Sequence, residues 1–287
     1  MSPRVTASPI GNHPKALDFR NLLLGFSFRS SSPSPSTACL NLALEDEIVE
    51  FIAPHRRKYY TSYRDGFVRR IHARSLKPGW IYWVAETDQG DEPTALQKMR
   101  GEEELGGRLI GYAAWTRVGK SPVARNWQRM NMGWFAKLES SLAELKSYYW
   151  YFFNLDWSQD PSKRAILTGL FAQTFGDDIF PEAWLLANVV THKDYQRRGI
   201  GTRLVQWGLD QCEAERVPCG VESSFAGMRL YEKLGFRKFD DLRYGEKEKE
   251  TMAVMVWEPP GLEGHWFHKA KAAVDIPETE ASSMLVT

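Results

Sequence analysis

Alternation between apolar and polar positions is clearest between residues 184 and 236, where strand-like and helix-like patterns follow one another. Residues 185–191 are apolar or β-branched, the composition of a largely buried strand. After a short turn, one helical face is marked by apolar or small residues at every fourth position, namely Ile200, Leu204, Gly208 and Cys212. A second strand is predicted to begin at 220–222, followed by a helix over 227–234 that Gly235 would cap. This order of elements predicts an α/β fold.

The turn between the first strand and its helix reads Gln-Arg-Arg-Gly-Ile-Gly over residues 196–201. Gly199 and Gly201 lack a Cβ, so the main chain there can approach a ligand closely. The unpaired N–H groups and the dipole of a helix start attract phosphate oxygens, and Arg197 and Arg198 add positive charge. A pyrophosphate cradle is therefore predicted. A dinucleotide fingerprint is not matched, because Leu204 stands where its third glycine belongs, and the turn contains no Gly-Lys-Ser or Gly-Lys-Thr.

Further strand and helix patterns lie on both sides of this stretch. Upstream, helices are predicted over 42–51 and 59–71, and strands over 80–86 and 108–118. An acidic, glycine-containing loop at 88–107 would join these two strands. Downstream, strands are predicted over 237–244 and 251–257. Together the patterns predict an α/β (α+β) domain with one mixed central sheet and flanking helices.

The two ends of the chain differ from this central region in composition. Residues 30–37 are rich in serine and proline, so we expect a flexible or divergent N-terminal segment over 1–40. The Pro-Pro-Gly group at 259–261 is expected to end the domain, leaving a C-terminal tail over 261–287 that is mobile except for local docking of Trp266 and Phe267. The predicted domain therefore spans 41–260.

Residues 121–181 are too many for an ordinary loop, so they are predicted to form a helical insertion. Helices are expected over 127–153, with Leu138, Leu142 and Leu145 on one face, and over 162–175. Residues 148–153 (YYWYFF) are unusually aromatic. They are expected to pack the insertion onto the sheet or to line an acceptor pocket, and the two interpretations are compatible.

Composition narrows the class of protein. The chain has 287 residues, of which 43% are hydrophobic, and this is enough for a sizeable core without disulfides or a structural metal. The net charge of +1 gives no reason to expect a nucleic-acid or membrane partner. A basic cluster at 55–58, with Arg69 and Arg70, is interpreted as a solvated helix face rather than a nucleic-acid site. Three cysteines without metal-like or redox spacing favour a reducing, cytoplasmic location, and no metal site is predicted.

Two motifs in register resemble the GNAT superfamily of acetyl-CoA-dependent N-acetyltransferases. The first is the glycine turn with Gln196, Gly199 and Gly201, directly after a strand. The second is the helix end with Leu230, Tyr231, Gly235 and Phe236. The resemblance implies the GNAT fold, in which two central strands splay apart to hold acetyl-CoA. It places the cofactor core at 184–236 and the insertion near the acceptor side.

The resemblance also implies roles for particular residues. Strand residues Val189, Val190 and Thr191 would pair with the pantetheine amides. The turn residues Gln196, Arg197, Arg198, Gly199, Ile200, Gly201 and Thr202 would hold the pyrophosphate, mainly through their backbone N–H groups. Ser224 stands where many relatives have asparagine, so it would contact the cofactor or cap the following helix. Tyr231 would be the general acid that protonates the leaving thiolate.

The general base is left open among Glu182, His192 and Glu222, with water as a relay; His192 is expected to be an exposed loop residue. The predicted reaction is direct attack of an amine on acetyl-CoA in a ternary complex, with a small-molecule or peptide amine as acceptor. Two alternatives are a catalytically inactive GNAT-fold binder of acyl-CoA and an interaction protein that uses the aromatic insertion.

Overall fold

A computed structural model describes residues 47–86, 109–129, 134–153, 155–245 and 250–274. The flexible segment predicted over 1–40 and the loop predicted over 88–107 lie outside these ranges.

Within these ranges, six strands form one mixed sheet, in the spatial order β1-β2-β3-β4-β6-β5. The strands are β1 (Trp80–Glu86), β2 (Leu109–Val118), β3 (Ala183–Thr191), β4 (Cys219–Ser223), β5 (Arg237–Tyr244) and β6 (Glu250–Trp257). All neighbouring pairs are antiparallel except β3 and β4, which are parallel. The predicted mixed α/β architecture is confirmed.

Helices lie on both faces of this sheet, either directly against it or packed on another helix. They are α1 (Glu47–Ile52), α2 (Tyr60–Ser75), α3 (Pro122–Arg129), α4 (Trp134–Phe152), α5 (Pro161–Thr174), α6 (Ile200–Glu215), α7 (Phe225–Lys233) and α8 (His265–Val274). The insertion therefore carries α3 and α4 where a single helix over 127–153 was predicted. Asp160 caps the start of α5 by accepting hydrogen bonds from the N–H groups of Ser162 and Lys163.

The parallel pair β3–β4 separates after only three residue pairs. Trp184, Leu185 and Leu186 pair with residues 219–221, and β3 then continues for five residues without pairing with β4. On its other edge, β3 stays paired with β2, but with a bulge at Ala187. Ala187 and Asn188 are exposed although they lie in a central strand. A fork therefore opens between β3 and β4 directly beyond the bulge.

One face of the sheet is covered by α6, whose buried stripe is the one predicted from the sequence. Ile200, Leu204, Val205, Leu209 and Cys212 pack into the largest apolar cluster of the described residues. Helix α6 crosses the Trp115 ring at Gly208. Glycine is required at this position because a Cβ would overlap that ring. The indole of Trp207, on the same helix, stacks on Trp83 with 5.0 Å between ring centroids.

The opposite face is covered by α2 at one end and by α8 at the other. The tail after 260 is not mobile over 265–274, because Ala270 is buried with Phe180, Phe239 and Val254. The expected local docking of Trp266 and Phe267 is confirmed, since both pack against this cluster. The start of α8 is held by Glu258, whose carboxylate accepts hydrogen bonds from the N–H groups of Gly264, Trp266 and Phe267. A carboxylate at a helix N-terminus is favourable because of the helix dipole.

The basic cluster is only partly the solvated face that the sequence predicted, because His55, Arg57 and Lys58 are exposed but the arginines beside them are not. Arg56 is 3% exposed and pairs with Glu50 at 3.2 Å. Arg70 pairs with Asp156 at 3.1 Å, and the guanidinium of Arg69 lies 4.1 Å from the ring centroid of Trp150. Arg69 and Arg70 are engaged because α2 is packed against the insertion along this side, whereas Arg56 precedes α2 and is held by α1.

The described aromatic side chains of residues 148–153 do not pack the insertion onto the sheet, so that interpretation is wrong for them. Tyr148, Tyr149, Phe152 and Phe153 are 73%, 55%, 81% and 56% exposed. Helix α4 lies against α2 rather than against the sheet, and only Trp150 among the described rings of 148–153 is partly buried.

Candidate functional site

The fork between β3 and β4 has a free strand edge along its β3 side. Val189, Val190 and Thr191 pair with Ala113, Tyr112 and Gly111 of β2, and no strand of the described residues pairs with their other edge. All three are partly buried. Main-chain N–H and C=O groups on that edge are strong hydrogen-bonding groups, so an extended ligand with amides fits there.

The glycine turn follows this edge immediately and is fastened to it. The Gln196 side-chain amide donates to the carbonyl of Thr191 at 3.3 Å, so it ties the turn to the last residue of β3. Arg197 and Gly199 both have left-handed backbone conformations, with φ of 62° and 78°. Left-handed residues alternating with ordinary ones turn successive N–H groups toward one side and form an anion-binding concavity. A left-handed arginine is strained, which is common at binding sites.

The N-terminus of α6 is open at the end of this turn. Gly199 is its N-cap residue and no side chain caps it; the first backbone bond runs from Arg203 N–H to Gly199 C=O at 3.1 Å. A Cβ built on Gly199 would meet nothing within 4 Å. At Gly201, a Cβ would lie 3.5 Å from Leu230 and 3.7 Å from Thr191. The helix start, the strand end and α7 therefore meet closely, and Ile200 anchors them in the core.

The charged and polar side chains of the turn point outward. Arg197, Arg198 and Thr202 are exposed. The Arg198 guanidinium lies 5.0 Å from the ring centroid of Tyr195, which holds it beside the turn. These arginines can add long-range attraction for an anion, while the N–H groups supply the directional contacts.

Ser224 and Tyr231 lie on the β4 side of the fork, around Gly227. A Cβ on Gly227 would lie 3.1 Å from the Ser223 hydroxyl, 3.6 Å from the Ser224 hydroxyl and 3.2 Å from the Tyr231 ring. Ser224 is the N-cap residue of α7, but its side chain makes no capping hydrogen bond. Tyr231 is 7% exposed and packs edge-on against Phe236, on the α6 face of the sheet.

Glu182, one of three candidate bases, is bound into a structural network. Its carboxylate accepts from Arg117 at 2.7 Å, from the Ser121 hydroxyl at 2.7 Å and from the N–H groups of Lys120 and Ser121 at 2.6 Å. Burial alone would raise the pKa of this carboxyl, but the hydrogen bonds from Ser121, Arg117 and Lys120 outweigh it and hold the pKa below its ordinary value. Such a carboxylate is a poor proton acceptor.

His192 is not the exposed loop residue that the sequence predicted. It is 8% exposed, because a 3₁₀ turn (Lys193–Tyr195) folds back over it and brings the Tyr195 ring to 5.8 Å. Its Nδ1 accepts a hydrogen bond from the Asp194 N–H at 3.3 Å, as the N-cap of that turn. This hydrogen bond ties one ring nitrogen to the turn.

Glu222 stands at the mouth of the fork. Leu186 and Val221 form the last pair between β3 and β4, and Glu222 is the next residue. Its neighbours Cys219 and Val221 are buried under α6, so by strand alternation Glu222 points to the opposite face. There it meets Thr174 at the end of α5; burial raises the pKa of its carboxyl to about 7, although a hydrogen bond with Thr174 opposes this.

The contact between α5 and Glu222 was missed by sequence reasoning. Thr174 and Phe175 are remote from the motifs, and no local pattern connects them to β4. Gly220 is the sequence signal of this contact. A glycine is needed there because the Phe175 ring lies where a Cβ would be. This end of the insertion therefore forms one wall beside the fork.

The part of the chain that the structure describes contains neither a cluster of metal-ligand side chains nor a helix that could span a membrane. No three or more His, Cys, Asp or Glu side chains converge in the described ranges as metal ligands would. None of the helices located there combines the length and the hydropathy needed to cross a bilayer.

Comparison with known proteins identifies similar sequences over this region. Residues 165–238 match the family model of the acetyltransferase (GNAT) domain. A probable acyltransferase of Ajellomyces capsulatus is 51% identical over 43 residues, 15% of this chain and 32% of that protein. An acetyltransferase of Stachybotrys chartarum is 35% identical over 71 residues, 24% of this chain and 31% of that protein. The match thus spans about a third of the length of each relative.

Similar solved structures are more distant in sequence. A crystal structure of histone acetyltransferase HPA2 and related acetyltransferase from Corynebacterium glutamicum has 15% identity and a TM-score of 0.47, covering 92% of this chain and 99% of that one. The structure of Arabidopsis thaliana NAA60 with a bisubstrate analogue has 12% identity and a TM-score of 0.38, covering 81% and 97%.

Proposed function

Because the chain belongs to the GNAT superfamily of acyltransferases, we propose that it is an N-acetyltransferase that moves an acetyl group from acetyl-CoA to an amine. The observation that carries this proposal is the fork. A free edge of β3 runs directly into an uncapped helix start with a left-handed glycine, so one extended ligand with amides and a pyrophosphate suits both parts.

Acetyl-CoA would be bound along that path. Val189, Val190 and Thr191 would pair with the amides of the pantetheine arm, and residues 197–202 would hold the pyrophosphate through N–H groups. Gln196 would act indirectly, since its amide already binds the Thr191 carbonyl and sets the angle between strand and turn. Ser224 has no capping hydrogen bond to lose, so its hydroxyl is available to the co-substrate.

In the proposed reaction, the amine nitrogen attacks the thioester carbonyl carbon and the C–S bond breaks. The amine loses a proton and the thiolate gains one, so an acceptor and a donor of protons are required. Among the three candidate bases we assign the acceptor to Glu222, directly or through a water. Glu182 is committed to Arg117 and Ser121, and His192 to its own turn.

Tyr231 is the proposed proton donor to the thiolate. Its ring lies beside Ser223 and Ser224 at the end of β4, on the α6 face. Glu222 points to the other face. The two groups would therefore flank the fork from opposite sides, with the amine entering from the side of α5 and the thiolate facing Tyr231.

The acceptor is proposed to be a small-molecule or peptide amine, and a cytoplasmic location remains a prediction. The chain is nearly neutral, with a net charge of +1, and the wall beside the fork combines Phe175 with Thr174 and Glu222. An amine with an apolar body fits such a wall better than a highly basic tail does.

The proposal is tested by following thiol release from acetyl-CoA against a panel of amines and peptide N-termini. We expect release that depends on both the amine and the enzyme, with the acetylated amine as product. Tight binding of acetyl-CoA without turnover of any amine would instead indicate a catalytically inactive binder of acyl-CoA.

A further inference from the structure

An exposed apolar stripe on α4 has no role in the proposed reaction. Its members follow one another at spacings of four, three, four and three residues, and they are Leu138, Leu142, Leu145, Tyr149 and Phe152. Their exposed fractions are 52%, 57%, 67%, 55% and 81%. Large side chains that remain this exposed in a continuous row indicate an interaction surface.

The stripe is separate from the side of α4 that holds the helix to its own protomer. That inner side carries Glu139, 3.3 Å from His72, and Trp150, against Arg69. At about 100° per residue, these positions lie roughly a third of a turn away from the stripe. The stripe can therefore be covered without displacing α4 from α2.

The spacing favours another helix as the partner. An alternation of four and three residues is the a/d seam of a coiled coil, whereas a helix facing a globular core has a broader apolar face. With Leu142 and Tyr149 at a positions, Leu138, Leu145 and Phe152 occupy d positions. Such a seam is matched by a second helix with the same seam.

We propose that the stripe binds a second copy of this chain in an antiparallel helix pair related by a two-fold axis. In that pairing, Leu142 lies opposite the partner's Leu145, and Leu138 lies opposite the partner's Tyr149. One axis midway between residues 143 and 144 satisfies both contacts, which is the self-complementary arrangement of a two-fold dimer.

The charges beside the seam select this orientation. Glu139 and Lys146 both occupy e positions, and e positions face each other in an antiparallel pair. Glu139 then approaches the partner's Lys146, and the contact occurs twice because of the two-fold axis. A parallel pair would bring Lys146 to the partner's Ser141 and would form no such ion pair. Glu139 also binds His72 in its own protomer, so it would share its carboxylate.

The seam is short, about two heptads, and an isolated coiled coil of this length would be marginal. Helix α4 is already folded on α2, however, so little chain ordering remains to oppose association. We expect a reversible dimer with a dissociation constant in the range of about 1–50 µM. Its mass would be twice 32.9 kDa, or 65.8 kDa.

Sedimentation equilibrium of the full chain over a concentration series tests this inference. The wild type should dimerise, and Leu142→Glu should weaken the dimer by at least about tenfold because it buries two charges at the axis. Ile166→Glu is the matched control, since Ile166 is also an exposed apolar helix residue, at 52%, but lies on α5. It should leave the dissociation constant unchanged.

The orientation is tested by charge reversal. Lys146→Glu should weaken the dimer about threefold or more, and adding Glu139→Lys should restore it. A wild type that stays monomeric up to about 200 µM would overturn the inference. So would a dimer that survives Leu142→Glu. Neither result depends on acetyl-CoA, so the proposed transferase function is tested separately.

Discussion

Replacing Glu222 by glutamine should separate two effects of this buried carboxylate, namely what its burial costs in stability and what it contributes to turnover. The pKa of the Glu222 carboxyl is raised from 4.5 to about 7, first of all because burial disfavours the charged form. A rise of this size corresponds to about 3 kcal/mol between the two protonation states. Glutamine has nearly the same shape, is neutral at every pH and can still bond to Thr174.

Proton linkage gives the direction in which the free energy of unfolding changes with pH. The folded-state pKa lies above the unfolded value, so between pH 4.5 and about 7 the folded protein binds more protons than the unfolded chain. The free energy of unfolding of the wild type therefore falls as the pH rises through this window. In Glu222→Gln the free energy of unfolding does not fall in this way, because glutamine does not ionise. The variant should match the wild type near pH 4.5 and exceed it by up to about 3 kcal/mol above pH 8.

Urea unfolding of both proteins at several pH values between about 5 and 8.5 measures this difference. Glu232→Gln is a suitable control, because Glu232 is exposed on α7 and its replacement should leave the pH dependence of the stability as in the wild type. In the activity assay, the wild-type rate should rise through about pH 7 as Glu222 ionises. Glu222→Gln should lose this rise and at least about tenfold in turnover above pH 8.

Two outcomes would refute this reasoning in different ways. A stability difference that does not change with pH would mean that the Glu222 carboxyl is not desolvated at the fork. A pH-dependent stability difference with normal turnover would confirm the desolvation and reject Glu222 as the proton acceptor.

Tyr231→Phe keeps the packing against Phe236 and should leave acetyl-CoA affinity unchanged while turnover falls at least about tenfold; near-normal turnover would mean that the thiolate is protonated from elsewhere. Gly208→Ala should destabilise the fold by about 1–3 kcal/mol because the new Cβ meets the Trp115 ring. Gly169→Ala, in α5 with nothing within 4 Å of its Cβ, should stabilise the fold by about 0.5–1 kcal/mol. The melting temperatures of the two glycine variants should therefore shift in opposite directions, and a shift in the same direction would contradict this packing.

The elements of the core motif were predictable because their signals are local. The apolar face of α6 and the glycine turn lie within seventeen residues of chain, and both appear in the structure at the predicted positions. The fork itself was not predictable from residue patterns alone. It depends on the bulge at Ala187, which is a property of the register between β2 and β3.

Predictions that rested on one segment alone were less successful. His192 was expected to be exposed, but the turn that follows it folds back and buries it. Residues 148–153 were expected to pack on the sheet or to line an acceptor pocket because aromatic residues are usually buried, but Tyr148, Tyr149, Phe152 and Phe153 are exposed. Glu222 acquires its environment from Thr174, forty-eight residues earlier, and no pattern near either residue announces this contact.

The most direct test of the central claim is calorimetric titration of acetyl-CoA into the wild type, Gly199→Val and Gly261→Val. Both glycines are left-handed, with φ of 78° and 80°, and neither has an atom within 4 Å of its missing Cβ. The two substitutions therefore impose similar backbone strain, but only Gly199 lies in the turn before α6. We expect binding to one site in the wild type and in Gly261→Val, and at least about tenfold weaker binding in Gly199→Val, about 1.4 kcal/mol. Equal affinity in a folded Gly199→Val protein, or no binding to the wild type, would contradict the assignment of the fork and its glycine turn as the acetyl-CoA site.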